Sequence, residues 1–125
     1  VIDFATLTGA CMVALGTERN GLFSNDDTVR EKLYEAGQAV GEEHWPLPLG
    51  QEYRDWMKSH VADIANISSN RYGGVCTVAA FLEFFTDYRW SHFDLSVSYE
   101  KGKGKPWIRH GANGVGVQTI IEYLR

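Results

Sequence analysis

The chain has 125 residues, 44% of them hydrophobic and 22% charged, with a formal net charge of −4. That length and apolar content suit one domain able to bury roughly two thirds of its unfolded surface, and they exclude a disordered segment. The negative balance argues against nucleic-acid binding, and no apolar run approaches the roughly 20 residues that span a bilayer.

Val1–Leu7 is nearly continuous in apolar residues apart from Asp3, the pattern of a strand covered on both faces. It runs at once into an apolar helix, Ala10–Leu15, that stops near Gly16. The junction Thr6-Leu7-Thr8-Gly9 therefore leaves backbone N–H groups pointing out of a turn, and a glycine there lets a ligand approach closely. In open α/β sheets the ligand crevice lies at the carboxyl ends of strands, so a binding surface is expected at Thr6–Gly9. The chain opens on Val1, inside this strand, as expected of a piece of a longer polypeptide.

Gly21–Phe23 suits a second short strand. Ser24-Asn25-Asp26-Asp27 offers N-caps for a helix striped by Val29, Leu33, Ala36 and Val40, with Gly41 as its stop. The prolines of Trp45-Pro46-Leu47-Pro48-Leu49 predict extended backbone. Gln51–Ser59 is expected to be helical, and Val61–Asn70 a loop. Gly73-Gly74 opens a longer helix with Val75, Val78, Ala79, Leu82 and Phe85 on one face. Trp90–Leu95 reads as a strand, its apolar parity continuing through Phe93, Leu95, Val97 and Tyr99. Glu100–Asn113 is expected to be a glycine- and lysine-rich loop. A final helix from about Val115 is striped by Val117, Ile120, Ile121 and Leu124. This alternation predicts an α/β fold, a layered α/β/α domain whose short central sheet is mostly parallel or mixed. Three or so strands make a thin sheet, so more are expected upstream.

Most catalytic constellations are lacking. Cys11 and Cys76 sit in apolar runs and read as small buried hydrophobes, which suits a reducing compartment. A thiol hydrolase would need one of them beside His92 with Asp94 orienting it, without any electropositive flank to activate the thiol. His44, His60, His92 and His110 show no metal-ligand spacing and read as surface or structural histidines. Gly111-Ala112-Asn113-Gly114-Val115-Gly116 precedes a helix, but as GxxGxG it matches neither phosphate-binding fingerprint. The basic cluster Lys101, Lys103, Lys105 and Arg109 reads as a solvated loop.

Several stretches in register resemble the leucyl aminopeptidase family of dimetal exopeptidases, in the later part of its catalytic domain. They include Asp3-Phe4-Ala5-Thr6-Leu7-Thr8-Gly9-Ala10, Gly21-Leu22-Phe23-Ser24-Asn25, Trp45-Pro46-Leu47-Pro48-Leu49, Tyr72-Gly73-Gly74, His92-Phe93-Asp94 and Gly111-Ala112-Asn113-Gly114. The resemblance implies removal of N-terminal residues from peptide substrates by two divalent ions (zinc, manganese or magnesium), in a cytoplasmic hexamer. It places the metal ligands, with a catalytic lysine and arginine, upstream of Val1. No catalytic residue and no metal ligand is therefore expected in this chain, which is expected to be inactive alone.

What the resemblance carries over is the substrate side of the cleft. Leu7 presents its carbonyl and N–H to the substrate backbone, Gly9 offers an N–H, and Thr6 with Gly9 lines the pocket for the first side chain. Ile67 lines the pocket for the second. After the His-x-Asp strand most members continue with Ala-Gly and then an apolar residue, whereas here Ser96 and Tyr99 take the pocket-floor positions, as in the bacterial peptidase B branch. That implies a floor more tolerant of polar first residues. A non-catalytic assembly or interaction module built on the same fold is the alternative reading, its open sheet edge favouring self-association.

Overall fold

The computed structural model describes residues 1–100, 106 and 110–125, the side chains of Tyr99 and Glu100 excepted. The basic cluster Lys101, Lys103, Lys105 and Arg109 lies outside the described residues. Strand β1 (Ile2–Ala5) leads through the Thr6–Thr8 turn into helix α1 (Gly9–Leu15), which ends at Gly16 with φ of 67°. Strand β2 (Asn20–Ser24) follows, then helix α2 (Asp27–Val40). The Asp26 side chain caps α2 by accepting from the Val29 N–H at 2.9 Å, and Gly41 closes it in the left-handed region at φ 74°.

Strand β3 (His44–Pro46) is the first part of the proline-rich stretch, and Pro46 is tolerated because β3 is an edge strand. Helices α3 (Gln51–Asp55) and α4 (Gly74–Glu83) precede strand β4 (Ser91–Asp94). The sheet order is β1-β4-β2-β3, with β1/β4 and β2/β3 parallel and β2/β4 antiparallel. The sheet is thus mixed, one of the two forms expected.

Two cores lie on its opposite faces, as strand alternation requires. Phe23 and Trp90 pack with Cys11, Val75, Cys76 and Ala79, against α1 and α4. Leu22 and Phe93 pack with Leu33, Ile120 and Tyr123, against α2 and the last helix, α5 (Val117–Tyr123). Helices therefore cover both faces. Gly37 in α2 is required by space, since a Cβ there would fall 2.5 Å from the Glu42 carbonyl oxygen and 2.7 Å from His44 Cδ2.

Four expectations need correcting. The helix expected over Gln51–Ser59 stops at Asp55. The apolar parity after Trp90 does not extend the strand past Asp94, because the Ser96 and Val97 amides turn aside to a side chain described below. The stretch Glu100–Asn113 is not loop throughout: strands β5 (Tyr99–Glu100) and β6 (Gly111–Ala112) pair antiparallel at its ends. Finally, the closing helix turns Thr119 inward, leaving Val117, Ile121 and Leu124 of its expected stripe 59%, 56% and 74% exposed.

Candidate functional site

The turn after β1 is held by one carboxylate from the neighbouring strand. Asp94, at the end of β4, pairs in register with Ala5 and is 1% exposed. Its Oδ1 accepts from the Leu7 and Thr8 N–H groups at 3.1 and 3.2 Å, and its Oδ2 from the Thr8 hydroxyl at 2.6 Å. Thr8 Oγ1 in turn accepts from the Cys11 N–H at 3.0 Å, which caps α1. A buried carboxylate survives only with such partners. Thr6 and Gly9 stay exposed on the outer side, and a Cβ at Gly9 would meet nothing within 4 Å. The turn is rigid beneath and open above.

Ser96 joins this assembly from below. It is buried, its hydroxyl donates to the Arg19 carbonyl at 2.9 Å, and it lies 3.3 Å from Cys11 Sγ. The Leu7 N–H, expected to face a substrate, is spent on Asp94. Ile67 sits in the irregular stretch between α3 and α4, 74% exposed, and takes no part in the bonds that unite the other positions. Tyr99 enters β5 opposite Ala112; its side chain lies outside the described set.

The other constellations resolve as structure. His92 Nδ1 lies 2.5 Å from Asp3 Oδ1, and the Trp90 indole donates to Asp3 Oδ2 at 2.6 Å. Burial pushes the Asp3 carboxyl up, but the hydrogen bonds from His92 and Trp90 hold it below its ordinary value. His92 is thereby committed away from either thiol. Burial pushes the Cys11 and Cys76 thiols up, Asp94 adding to it at Cys11, so neither is an activated nucleophile. His60 and His110 are on the surface. The donors at the start of α5 are already filled: Glu42 Oε2 accepts from the Gly116 and Thr119 N–H groups at 3.0 Å each. That closes the phosphate-cradle reading of the GxxGxG run.

A cavity of about 430 Å³ lies elsewhere, between Arg54, Glu83, Phe84 and Ile64. Its charged walls satisfy each other in a bidentate pair at 2.7 and 2.8 Å. Among the described residues, no three His, Cys, Asp or Glu side chains gather to hold a metal ion. Asp3, Asp94, Glu42 and Glu83 each serve the contacts above, so the donors present do not fit a two-ion centre. No described helix is long and apolar enough to cross a membrane.

Asp94 as the clamp of the turn, and Asn20 beneath Ser96, escaped the sequence reading. The signal for Asp94 was present, because a carboxylate inside an apolar strand demands donors. Its identity as a clamp needed the strand order.

Known proteins share this fold. The catalytic-domain profile of the cytosol aminopeptidase family matches residues 1–121. Probable cytosol aminopeptidases of Roseiflexus castenholzii and Geobacter sulfurreducens are each 46% identical over 100% of the chain, which covers 26% and 25% of their lengths. A tomato leucine aminopeptidase mutant superposes with a TM-score of 0.88 at 39% identity, over 98% of this chain and 24% of that one. The bottromycin maturation enzyme BotP in complex with Mn superposes with a TM-score of 0.91 at 35% identity, over 99% of this chain and 28% of that one. The chain spans about a quarter of the length of these relatives. With its profile match running almost end to end, this chain belongs to the cytosol aminopeptidase family and corresponds to part of its catalytic domain.

Proposed function

We propose that this chain forms the substrate-facing part of the catalytic domain of a metal-dependent aminopeptidase, which hydrolyses the N-terminal residue from peptides. The observation that carries the reading is the turn at Thr6–Gly9, clamped from below by Asp94 and open above. Thr6 and Gly9 line the pocket for the first side chain, Ser96 and Tyr99 form its floor, and Ile67 borders the second. At Leu7 the carbonyl orients the substrate backbone, since the N–H is engaged by Asp94. Ser96 acts through the position of its backbone, its hydroxyl being bonded to Arg19.

The residues that hold two divalent ions (zinc, manganese or magnesium) and the remaining catalytic groups belong to the rest of a longer, hexameric, cytoplasmic protein. The names of the relatives and the Mn complex of BotP support an aminopeptidase that uses a divalent metal. What this chain contributes to the reaction is placement: binding the substrate end in one orientation lowers the entropic part of the barrier.

The test compares the full-length protein with the isolated chain on a leucyl chromogenic amide, each with manganese or zinc. Turnover by the full-length protein and none by the chain is expected. Robust turnover by the chain alone would falsify the division of labour. A full-length protein with no metal-dependent turnover would favour the assembly-module alternative.

A further inference from the structure

Asn20 is fully buried in β2, and its carboxamide is used at both ends. Oδ1 accepts from the Ser96 N–H at 2.9 Å and the Val97 N–H at 3.1 Å. Two donors on one oxygen fix the orientation of the amide, because the flipped form would set its NH₂ against both. Nδ2 therefore faces His44 Nδ1, at 3.5 Å. The far side of the ring is fixed by the same logic. Thr119 Oγ1 donates to Glu42 Oε2 at 2.7 Å, so it accepts a hydrogen bond from His44 Nε2 at 2.8 Å. The residue before Asn20 adds a second hold, since the Arg19 carbonyl takes the Ser96 hydroxyl at 2.9 Å. Residues 19 and 20 thus grip Ser96 by backbone and side chain, just where the chain leaves the sheet.

We propose that Asn20 is a positioning residue for the substrate pocket: backed by His44, Thr119 and Glu42, its carboxamide sets the Ser96–Val97 backbone and through it the selectivity for the first residue of the peptide. The proposal rests on the reading of Ser96 as pocket floor. Displacing a pocket wall by a fraction of an ångström changes which side chains fit, and such changes are worth roughly tenfold or more in kcat/KM.

The experiment uses the full-length enzyme with manganese and a panel of aminoacyl chromogenic amides differing in size and polarity. Asn20→Ala is expected to change the ratio of kcat/KM between large apolar and small polar first residues by about tenfold, mostly through KM. Asn20→Asp keeps the acceptor for both amides but sets an oxygen against the His44 Nδ1 acceptor, and is expected to shift the ratio less than Asn20→Ala does. Leu33→Ala, which hollows the core on the Leu22 and Phe93 side and removes no hydrogen bond to Ser96 or Val97, is the control: it lowers the thermal midpoint and leaves the ratio alone. An unchanged ratio in Asn20→Ala, or an equal shift in Leu33→Ala, overturns the proposal. Should Asn20→Ala not accumulate folded, His44→Phe decides, since it removes the ring nitrogen that backs the carboxamide; an unaltered ratio there is equally fatal. A wild-type enzyme inactive on every amide would remove the aminopeptidase reading itself, and is seen before any substitution is made.

Discussion

The carboxylate of Asp94 accepts three hydrogen bonds from residues 87 or 86 positions away in sequence, and they hold the Thr6–Gly9 turn against the sheet. Bonds to a charged acceptor are the stronger kind, and leaving buried donors without a partner costs more than the bond itself contributes. Asp94→Ala is therefore expected to lower the stability of the full-length protein by about 2–4 kcal/mol, because water only partly replaces the acceptor at a half-buried turn. Asp94→Asn keeps one acceptor oxygen and is expected to lose less. Urea titrations of the three proteins check this, and a midpoint for Asp94→Ala equal to wild type would remove the clamp from the account. Asp3, by contrast, spends its charge on His92 and Trp90, away from the turn.

At the scale of elements, β2, β3 and α5 meet on the neutral His44 ring. Its Nδ1 must accept from Asn20 while Nε2 donates to Thr119, and it stands edge-on to Phe93 at 4.6 Å. Burial pulls its pKa down from 6.5 to about 4, with Glu42 opposing the shift. A histidine that must stay neutral when folded takes up a proton more readily when unfolded. Its contribution is therefore absent as a pH effect above 6.5, and stability falls as pH drops from 6.5 towards 4, by about 3 kcal/mol across the window. Thermal midpoints across that range should show the slope in wild type and a flatter profile in His44→Phe; identical slopes would take His44 out of the pH response. These couplings mark the limit of what sequence could say. Caps and stripes are local, so Asp26, Gly41 and the apolar face of α2 were legible. The mixed sheet was foreseen only as one of two options, because antiparallel pairing of β2 with β4 leaves no mark on either strand. The closing helix was misjudged for a physical reason: Glu42, from 74 or more residues earlier, grips its first turn and rotates Thr119 inward against the apolar pattern. The turn at Thr6–Gly9 was visible because strand-to-helix junctions carry their own chemistry, whereas Asn20 gave no hint of the backbone it holds.

Taken as a whole molecule, the isolated chain carries more apolar surface than its two cores absorb. Val117, Ile121 and Leu124 follow helical spacing on one side of α5, and Phe84 and Phe85, at the end of α4, are 54% and 61% exposed. Met12 and Val13 on α1 are 49% and 90% exposed. Scattered apolar residues are normal on a protein surface, but three on one side of α5 exceed that background. The described sheet also ends in β1 on one side and β3 on the other, and an unpaired edge offers backbone donors and acceptors to another chain. Both features drive association by burying area rather than by charge, and a net charge of −4 opposes it only weakly at physiological ionic strength. The isolated 125-residue chain is therefore expected to self-associate at micromolar concentration, more strongly as salt is raised. Ile121→Lys, which puts a charge in the middle of the α5 stripe without touching either core, is expected to weaken that association. Sedimentation velocity over a dilution series measures it directly. A monodisperse monomer at every concentration would mean that the edges and stripes are individually too small to hold a second copy.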